Sequence, residues 1–369
     1  MASPGTDTSA TCKGQGSRSV AERGGGTGTT FVRDARLADK IVFVDGVSGS
    51  GKSILGPILA SFDRVERYRL DCVYEHVAVL HKFGKIADDA ATALIRMHLD
   101  EALYHSMISR EVNFRPFDHT GFLNNPFRLR SIARLFMKDG DAAVERINRI
   151  KPIFQVNCHQ MFPAIRLAFL AFGPRVRAVE MVRHPLFVVQ HWVQFGMERY
   201  GADPRDLTLW IMSPTGETVP WFAHGWEEEF LRLAPVDRGI RTVQWLSHER
   251  DIALEKASEE ERRQVLLIPF ECFVTDPWPF LRRMEEFLGT ETTAATRRVL
   301  KRQRCPRSVL TAGRGHKRSG WKKPDPSATN QAEFRRVRDA IEGKASTDAK
   351  ALLREMCADY ERHYPFSYA

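Results

Sequence analysis

An α/β protein with three layers around a central parallel sheet is predicted by two observations. From Lys40 onward, short apolar runs rich in β-branched residues alternate with segments of helical periodicity. One of those runs, Ile41-Val42-Phe43-Val44, leads directly into Gly46-Val47-Ser48-Gly49-Ser50-Gly51-Lys52-Ser53, a complete G-x-x-x-x-G-K-S phosphate-binding loop (P-loop). Strands separated by helices pair in parallel, because each helix carries the chain back to the starting edge. The expected plan is a P-loop fold with helical insertions and a helical C-terminal tail.

Residues 1–39 are rich in Gly, Ser and Thr and show no apolar period, so they are expected to form a disordered extension. Residues 40–323 carry the P-loop domain and 324–369 the tail. Behind the loop, Ile54, Leu55, Ile58, Leu59 and Phe62 recur at helical spacing, and Pro57 predicts a bend there. Helices follow at 86–109 and 128–148, then a strand at 152–156. A helix at 162–172, a Gly173-Pro174 break and a strand at 176–182 come next, with a helix at 186–192. The less regular stretch 203–240 carries Trp210, Trp221, Phe222, Trp226 and Phe230, which either cap the core or line an acceptor pocket. A helix at 242–257, a strand at 265–270 and a helix at 279–288 complete the domain. The tail has two helices, the second starting at Ser346-Thr347 and ending before Pro365.

With 369 residues and 43% hydrophobic content, the chain can bury one large core. The six cysteines are far apart with no C-x-x-C pair, which points to free thiols rather than a zinc site or disulfide framework. No apolar run reaches the length of a membrane span and the N-terminus lacks the apolar core of a secretory signal, so a cytoplasmic protein is expected. Eleven Lys or Arg and no Asp or Glu lie between residues 297 and 323; removing those eleven from the net charge of +9 leaves about −2 for the rest. The basicity is a local device for an anionic ligand. Trp321 is its one aromatic, so the stacking platform for single-stranded nucleic acid is missing.

The glycines of the loop let successive N–H groups turn toward phosphate oxygens, the following helix adds its positive dipole end, and Lys52 adds a full charge. Arg183 closes the 176–182 strand in Met181-Val182-Arg183-His184-Pro185. The carboxyl edge of a parallel sheet is where such proteins bind ligands, and arginine grips phosphate with two parallel donors.

Arg183-His184-Pro185, with His191 eight positions beyond Arg183, resembles the 3′-phosphate-binding segment of the sulfotransferase family, whose donor is 3′-phosphoadenosine 5′-phosphosulfate. Other stretches agree in order. Asn157-Cys158-His159-Gln160-Met161-Phe162-Pro163 resembles the family's catalytic histidine segment, and Val243-Gln244-Trp245 a helix opening before the late strand. The run from Leu267 to Pro277, followed by Phe287-Leu288-Gly289, resembles that strand, its acidic turn and its helix. Gly313-Arg314-Gly315-His316-Lys317-Arg318-Ser319-Gly320-Trp321-Lys322 is similar to the basic loop over the 3′-phosphate.

The resemblance implies that Gly49, Ser50, Gly51, Lys52 and Ser53 hold the 5′-phosphosulfate, and that Arg183, His191, Arg314, Lys317 and Arg318 hold the 3′-phosphate. His159 is then the general base on an acceptor hydroxyl or amine, Lys52 neutralises the leaving phosphate, and no metal is required. The acceptor class stays open among small molecules, lipids and glycans, and the oligomeric state is not set. Two departures stand out: Gly49 occupies the place of the family's loop lysine and Lys52 that of a threonine, while His191 replaces a serine.

Those departures also suit an ATP- and Mg²⁺-dependent small-molecule kinase, in which Ser53 ligates the metal. Its carboxylate would come from Asp45, or from Asp71 with Glu75; Glu180 lies inside its strand. A non-catalytic nucleotide- or polyanion-binding protein is the third reading. Asp71 and Glu75 are otherwise expected on a solvated helix face, and Glu271 and Asp276 to fix a turn.

Overall fold

The computed structural model describes residues 28–116, 118–195, 206–311 and 329–366. Four strands form its parallel sheet: β1 (Lys40–Asp45), β2 (Ile153–Asn157), β3 (Val176–Val182) and β6 (Val265–Pro269), in the order β2-β1-β3-β6. β4 (Trp210–Met212) and β5 (Thr218–Pro220) make a separate antiparallel hairpin. Five of the six residues of β1 and all of β2 are buried, as befits strands covered on both faces. The three-layer α/β plan stands.

The chain leaves β1 toward β2 on one side and returns to β3 on the other, which opens a crevice at the carboxyl end of β1. The loop follows β1 directly. It enters a 3-10 turn at Lys52–Ile54 and the five-residue helix α1 (Leu55–Leu59). The winding changes from 3-10 to α between Ile54 and Leu55, ahead of Pro57. Pro57 falls in the first turn of α1, where an N–H has no intrahelical partner to lose.

Between α1 and β2 come α2 (Val73–Lys82), α3 (Asp88–Met107), α4 (Arg128–Leu135) and α5 (Asp141–Ile150). The single helix expected over 128–148 is two, interrupted where Gly140 adopts φ 57°. Helix α2 carries Glu75 of the helical face expected for Asp71 and Glu75, while Asp71 lies ahead of its first residue. A buried two-point pair, Arg134 to Glu66 at 2.7 Å through both nitrogens, ties α4 to the strand-like segment beside β2.

Helix α6 (Arg166–Phe172) leads to β3 and α7 (Pro185–Phe195) follows it. Then come α8 (Glu227–Arg232), α9 (Pro235–Lys256) and α10 (Glu259–Arg263), the last opened by a capping box between Ser258 and Glu261. Val243-Gln244-Trp245 therefore lies inside a helix rather than opening one. After β6 come α11 (Phe270–Thr275), α12 (Trp278–Leu288) and α13 (Ala294–Arg302). The tail helices are α14 (Asn330–Glu342) and α15 (Thr347–His363); Ser346 caps α15 by accepting from Ala349 N–H.

Val42, Val44, Val179 and Met181 face a core shared with α1, α11, α12 and α13. Ile41, Phe43, Val156 and Ala178 face the larger core built by α2, α3, α6, α7 and α9, and Val337, Ile341 and Leu353 of the tail join it. Trp221, Phe222, Trp226 and Phe230 are buried there too, so the aromatic cluster caps the core. Residues 31–39 depart from the disordered extension expected for 1–39. Asp100 of α3 accepts from Leu37 and Ala38 N–H at 2.8 and 3.3 Å, and Ala38 is fully buried.

Candidate functional site

Gly46, Gly49 and Gly51 hold φ of 146°, 94° and 92°. A Cβ at Gly46 would stand 2.5 Å from the Met181 carbonyl oxygen, one at Gly49 2.7 Å from His191 Cβ, and one at Gly51 2.4 Å from the Phe270 ring. The three glycines are thus required twice, by backbone conformation and by close neighbours from β3, α7 and α11. Trp192 Nε1 donates to Ser48 O at 2.9 Å and fastens the loop to α7. Ser50 is buried with no protein partner for its hydroxyl oxygen.

Lys52 is buried, and its ammonium donates to Gly46 O at 2.6 Å and His159 O at 2.9 Å. Burial lowers its pKa, while Asp45, Glu75 and Glu180 pull the other way. Asp45 and Glu180 are register partners on β1 and β3. Burial raises the pKa of both, that of Glu180 to about 8. Asp45 Oδ2 accepts from Phe162 N–H at 2.8 Å, whereas its Oδ1 and Glu180 Oε2 have no partner.

Glu75 corrects the expectation of a solvated face. It is buried in the first turn of α2, and one oxygen accepts from His159 N–H at 3.0 Å and Gln160 N–H at 3.1 Å. The carboxylate therefore holds the turn that carries His159. Asp71 lies ahead of α2 and is half-buried, paired with His98 at 2.9 Å and Arg69 at 3.4 Å.

The His159 ring is neutral near physiological pH, because burial and then Lys52 push its pKa down to about 3. Its Nδ1 lies 3.8 Å from Cys72 Sγ, and burial pushes that thiol up to about 11. The tautomer in which Nδ1 carries the proton toward this sulfur is the one that leaves the Nε2 lone pair open to accept.

Arg183 reaches the loop. Its Nη1 donates to Gly49 O at 2.9 Å, and its guanidinium lies over Phe270 at 4.4 Å and Phe187 at 5.2 Å. His191 packs against Gly49 and lies 3.4 Å from Ser48 Oγ; burial and then Arg183 push its pKa down to about 4. Arg307 also stacks on Phe270, at 5.3 Å, and burial brings its pKa down to about 10. It belongs to the basic stretch but was not singled out. Arg314, Lys317 and Arg318 lie outside the described residues.

Glu271, expected only to fix a turn, is 1% exposed beside Arg183. It accepts from His184 N–H at 3.3 Å and Tyr360 O–H at 2.7 Å. Sequence reasoning also missed Trp192 and Phe270. Phe270 carried a usable signal, since it ends the apolar run whose carboxyl edge faces the crevice.

The structure thus brings Lys52, His159, Arg183 and His191 around one loop, and both Arg183 and Arg307 lie over the Phe270 ring. Such an arrangement can hold an elongated polyanion, one end on loop amides and the other on guanidinium groups. Among the described residues, no group of three or more His, Cys, Asp or Glu is arranged to hold a metal ion, and no helix is long and apolar enough to cross a membrane.

No family model and no curated protein matches the chain. Solved structures similar to it include the sulfotransferase domain of the Synechococcus PCC 7002 olefin synthase, at 13% identity and TM-score 0.42, covering 92% of this chain and 100% of that one. Another is a sulfotransferase from Mycobacterium avium, at 12% identity and TM-score 0.41, covering 90% and 79%. The sulfotransferase domain of the curacin biosynthetic pathway aligns at 10% identity and TM-score 0.38, over 84% and 99%. Overlap at this level carries no argument about what the chain does.

Proposed function

We propose that the chain transfers a sulfuryl group from 3′-phosphoadenosine 5′-phosphosulfate to a hydroxyl or amine acceptor. The observation that carries this reading is the contact of Arg183 with the Gly49 carbonyl, which supports a single doubly phosphorylated nucleotide reaching both the loop and the arginine. The collinear sequence motifs support it independently.

In this reading the amides of Gly49 to Ser53 and the Ser50 hydroxyl take the 5′-phosphosulfate, and Arg183, His191 and Arg307 take the 3′-phosphate. Lys52 leaves the Gly46 carbonyl to meet the anion. With its charge so engaged, Lys52 depresses the basicity of His159 less, while burial, the larger cause, still acts on the ring. The acceptor oxygen or nitrogen attacks sulfur, the bond from sulfur to the 5′-phosphate oxygen breaks, and His159 takes the acceptor's proton. Lys52 offsets the charge left on the phosphate. Arg314, Lys317 and Arg318 are proposed to close over the 3′-phosphate.

The test is a thermal shift with 3′-phosphoadenosine 5′-phosphate in EDTA. A rise in Tm is expected, and none at millimolar nucleotide would overturn the assignment. For the base, His159→Ala is expected to keep donor affinity and lose roughly a hundredfold or more in kcat. Equal loss of binding in His159→Ala and Arg183→Ala removes His159 from that role.

A second reading, phosphoryl transfer from Mg-ATP, is favoured by Asp45 and Glu180, buried carboxylates flanking Lys52 with an unpartnered oxygen each. It predicts stabilisation by ATP that EDTA abolishes.

A further inference from the structure

We propose that the face formed by α4 and α13 docks on an anionic lipid surface, its apolar side chains entering the headgroup layer while the arginines around them meet lipid phosphate. The inference is independent of the donor chemistry.

Helix α4 is built inside out. A helix on the surface of a globular protein ordinarily turns its apolar residues to the core and its charges to water. In α4 the buried side chains are Ser131 and Arg134. Leu129 is 74% exposed and Phe136, just behind the helix, 85%; Ile132, Leu135 and Met137 are exposed as well. Helical spacing sets Leu129, Ile132 and Phe136 on one side. The orientation is fixed from below, where Glu66 holds Arg134 at 2.7 Å through both nitrogens and Ser106 O accepts from it at 3.2 Å. The Ser131 carbonyl accepts from Ser109 O–H at 2.8 Å. Rolling the apolar side inward would leave a buried carboxylate without its cation, so the exposure is built in.

Charge selects what the face meets. Residues 119–138 contain no Asp or Glu, and neither does α13. Arg302 Nη1 donates to Leu123 O at 3.1 Å and joins α13 to the turn ahead of α4. Beside that contact runs a groove of about 520 Å³ whose lining includes Leu123, Phe127 and Leu129 together with Arg128, Arg298 and Arg302. The basic stretch of the sequence thus supplies cations to this groove. Arg130 stacks on Phe127 at 4.5 Å, its guanidinium held beside the apolar surface. Projecting leucine and phenylalanine side chains among guanidinium groups are the pattern of a segment that lies in a membrane interface. A second copy seated on the same face would set arginines against arginines. An anionic bilayer supplies the phosphates and also an apolar layer that takes projecting side chains of any shape.

The experiment is cosedimentation of the full chain with vesicles of phosphatidylcholine alone and of phosphatidylcholine mixed equally with phosphatidylglycerol. It compares the original chain with the double variants Leu129→Ser/Phe136→Ser and Arg128→Gln/Arg298→Gln, with Tm and oligomeric state measured on each. The original chain is expected to bind the anionic vesicles about tenfold more tightly than the neutral ones, and less so in high salt. Both variants alter exposed side chains only and are expected to keep Tm. Removing the apolar pair is expected to cut binding to anionic vesicles about tenfold with the salt dependence retained, and removing the arginine pair to cut it similarly and flatten the salt dependence. Undiminished binding by Leu129→Ser/Phe136→Ser means that charge elsewhere holds the vesicles, and overturns the proposal. Absence of binding to anionic vesicles, or equal binding to both kinds, overturns it as well. Self-association that the apolar variant abolishes, without vesicle binding, makes the face an interface between copies and overturns it too. Should the apolar variant fail to fold, the salt dependence of Arg128→Gln/Arg298→Gln decides alone, and an unflattened one overturns the proposal.

Discussion

The loop at 46–53 and the corner around Arg183 both present donors to the same crevice, yet they are built in opposite ways. The loop is backbone shaped by three glycines within eight residues, directly behind the strand that aims it. The corner is side chains from four places: Arg183 behind β3, Glu271 of α11, Arg307 of the basic stretch, and Tyr360 and Glu361 of α15. A backbone cradle is specified locally and is brittle to any added atom. A side-chain corner is specified by distant docking and can be tuned residue by residue.

The hardest blow to this contrast is expected at Gly46. Gly46→Ala sets a methyl group 2.5 Å from a backbone oxygen of β3 at φ 146°, so neither partner can yield cheaply. A loss of about 2–4 kcal/mol in urea unfolding is expected, together with loss of anion binding. If the variant unfolds and binds like the original chain, the loop is not the rigid half of the site.

Arg183→Ala should weaken 3′-phosphoadenosine 5′-phosphate binding by roughly tenfold to a hundredfold, the worth of one guanidinium on phosphate, and leave urea stability nearly intact. Calorimetry and a denaturant titration on the same preparation separate the two effects. A stability loss as large as that of Gly46→Ala would make the corner as structural as the loop.

The smallest effect should come from the carboxylates below the loop. Glu180 has its pKa raised by burial from the ordinary 4.5 to about 8, so the folded chain holds a proton the unfolded chain has released across that interval. Its contribution therefore makes stability fall as pH rises from 4.5 toward 8. Glu180→Gln removes that slope, and its Tm relative to the original chain is expected to rise with pH across the window. A constant difference would place the charge of Glu180 outside the titration.

How legible each part was follows from the same physics. Strands 176–182 and 265–270, helix 86–109 and the capped start of α15 were readable because their signals are periodic or confined to one turn. The helical face of Glu75 was legible but its burial was not, because nothing nearby in sequence announces the His159 turn it holds. His159 itself was legible through its segment, whereas its displaced pKa was not, since that comes from burial beside Lys52.

The sequence alone determined that a strand, a glycine loop and a lysine follow one another, because adjacency along the chain specifies them and three glycines permit the φ values they need. Tertiary structure decided which groups meet that loop. Trp192 on Ser48, Phe270 against Gly51 and Tyr360 on Glu271 each join residues far apart in the chain, and only the packing of α7, α11 and α15 around the sheet brings their donors and faces within bonding distance.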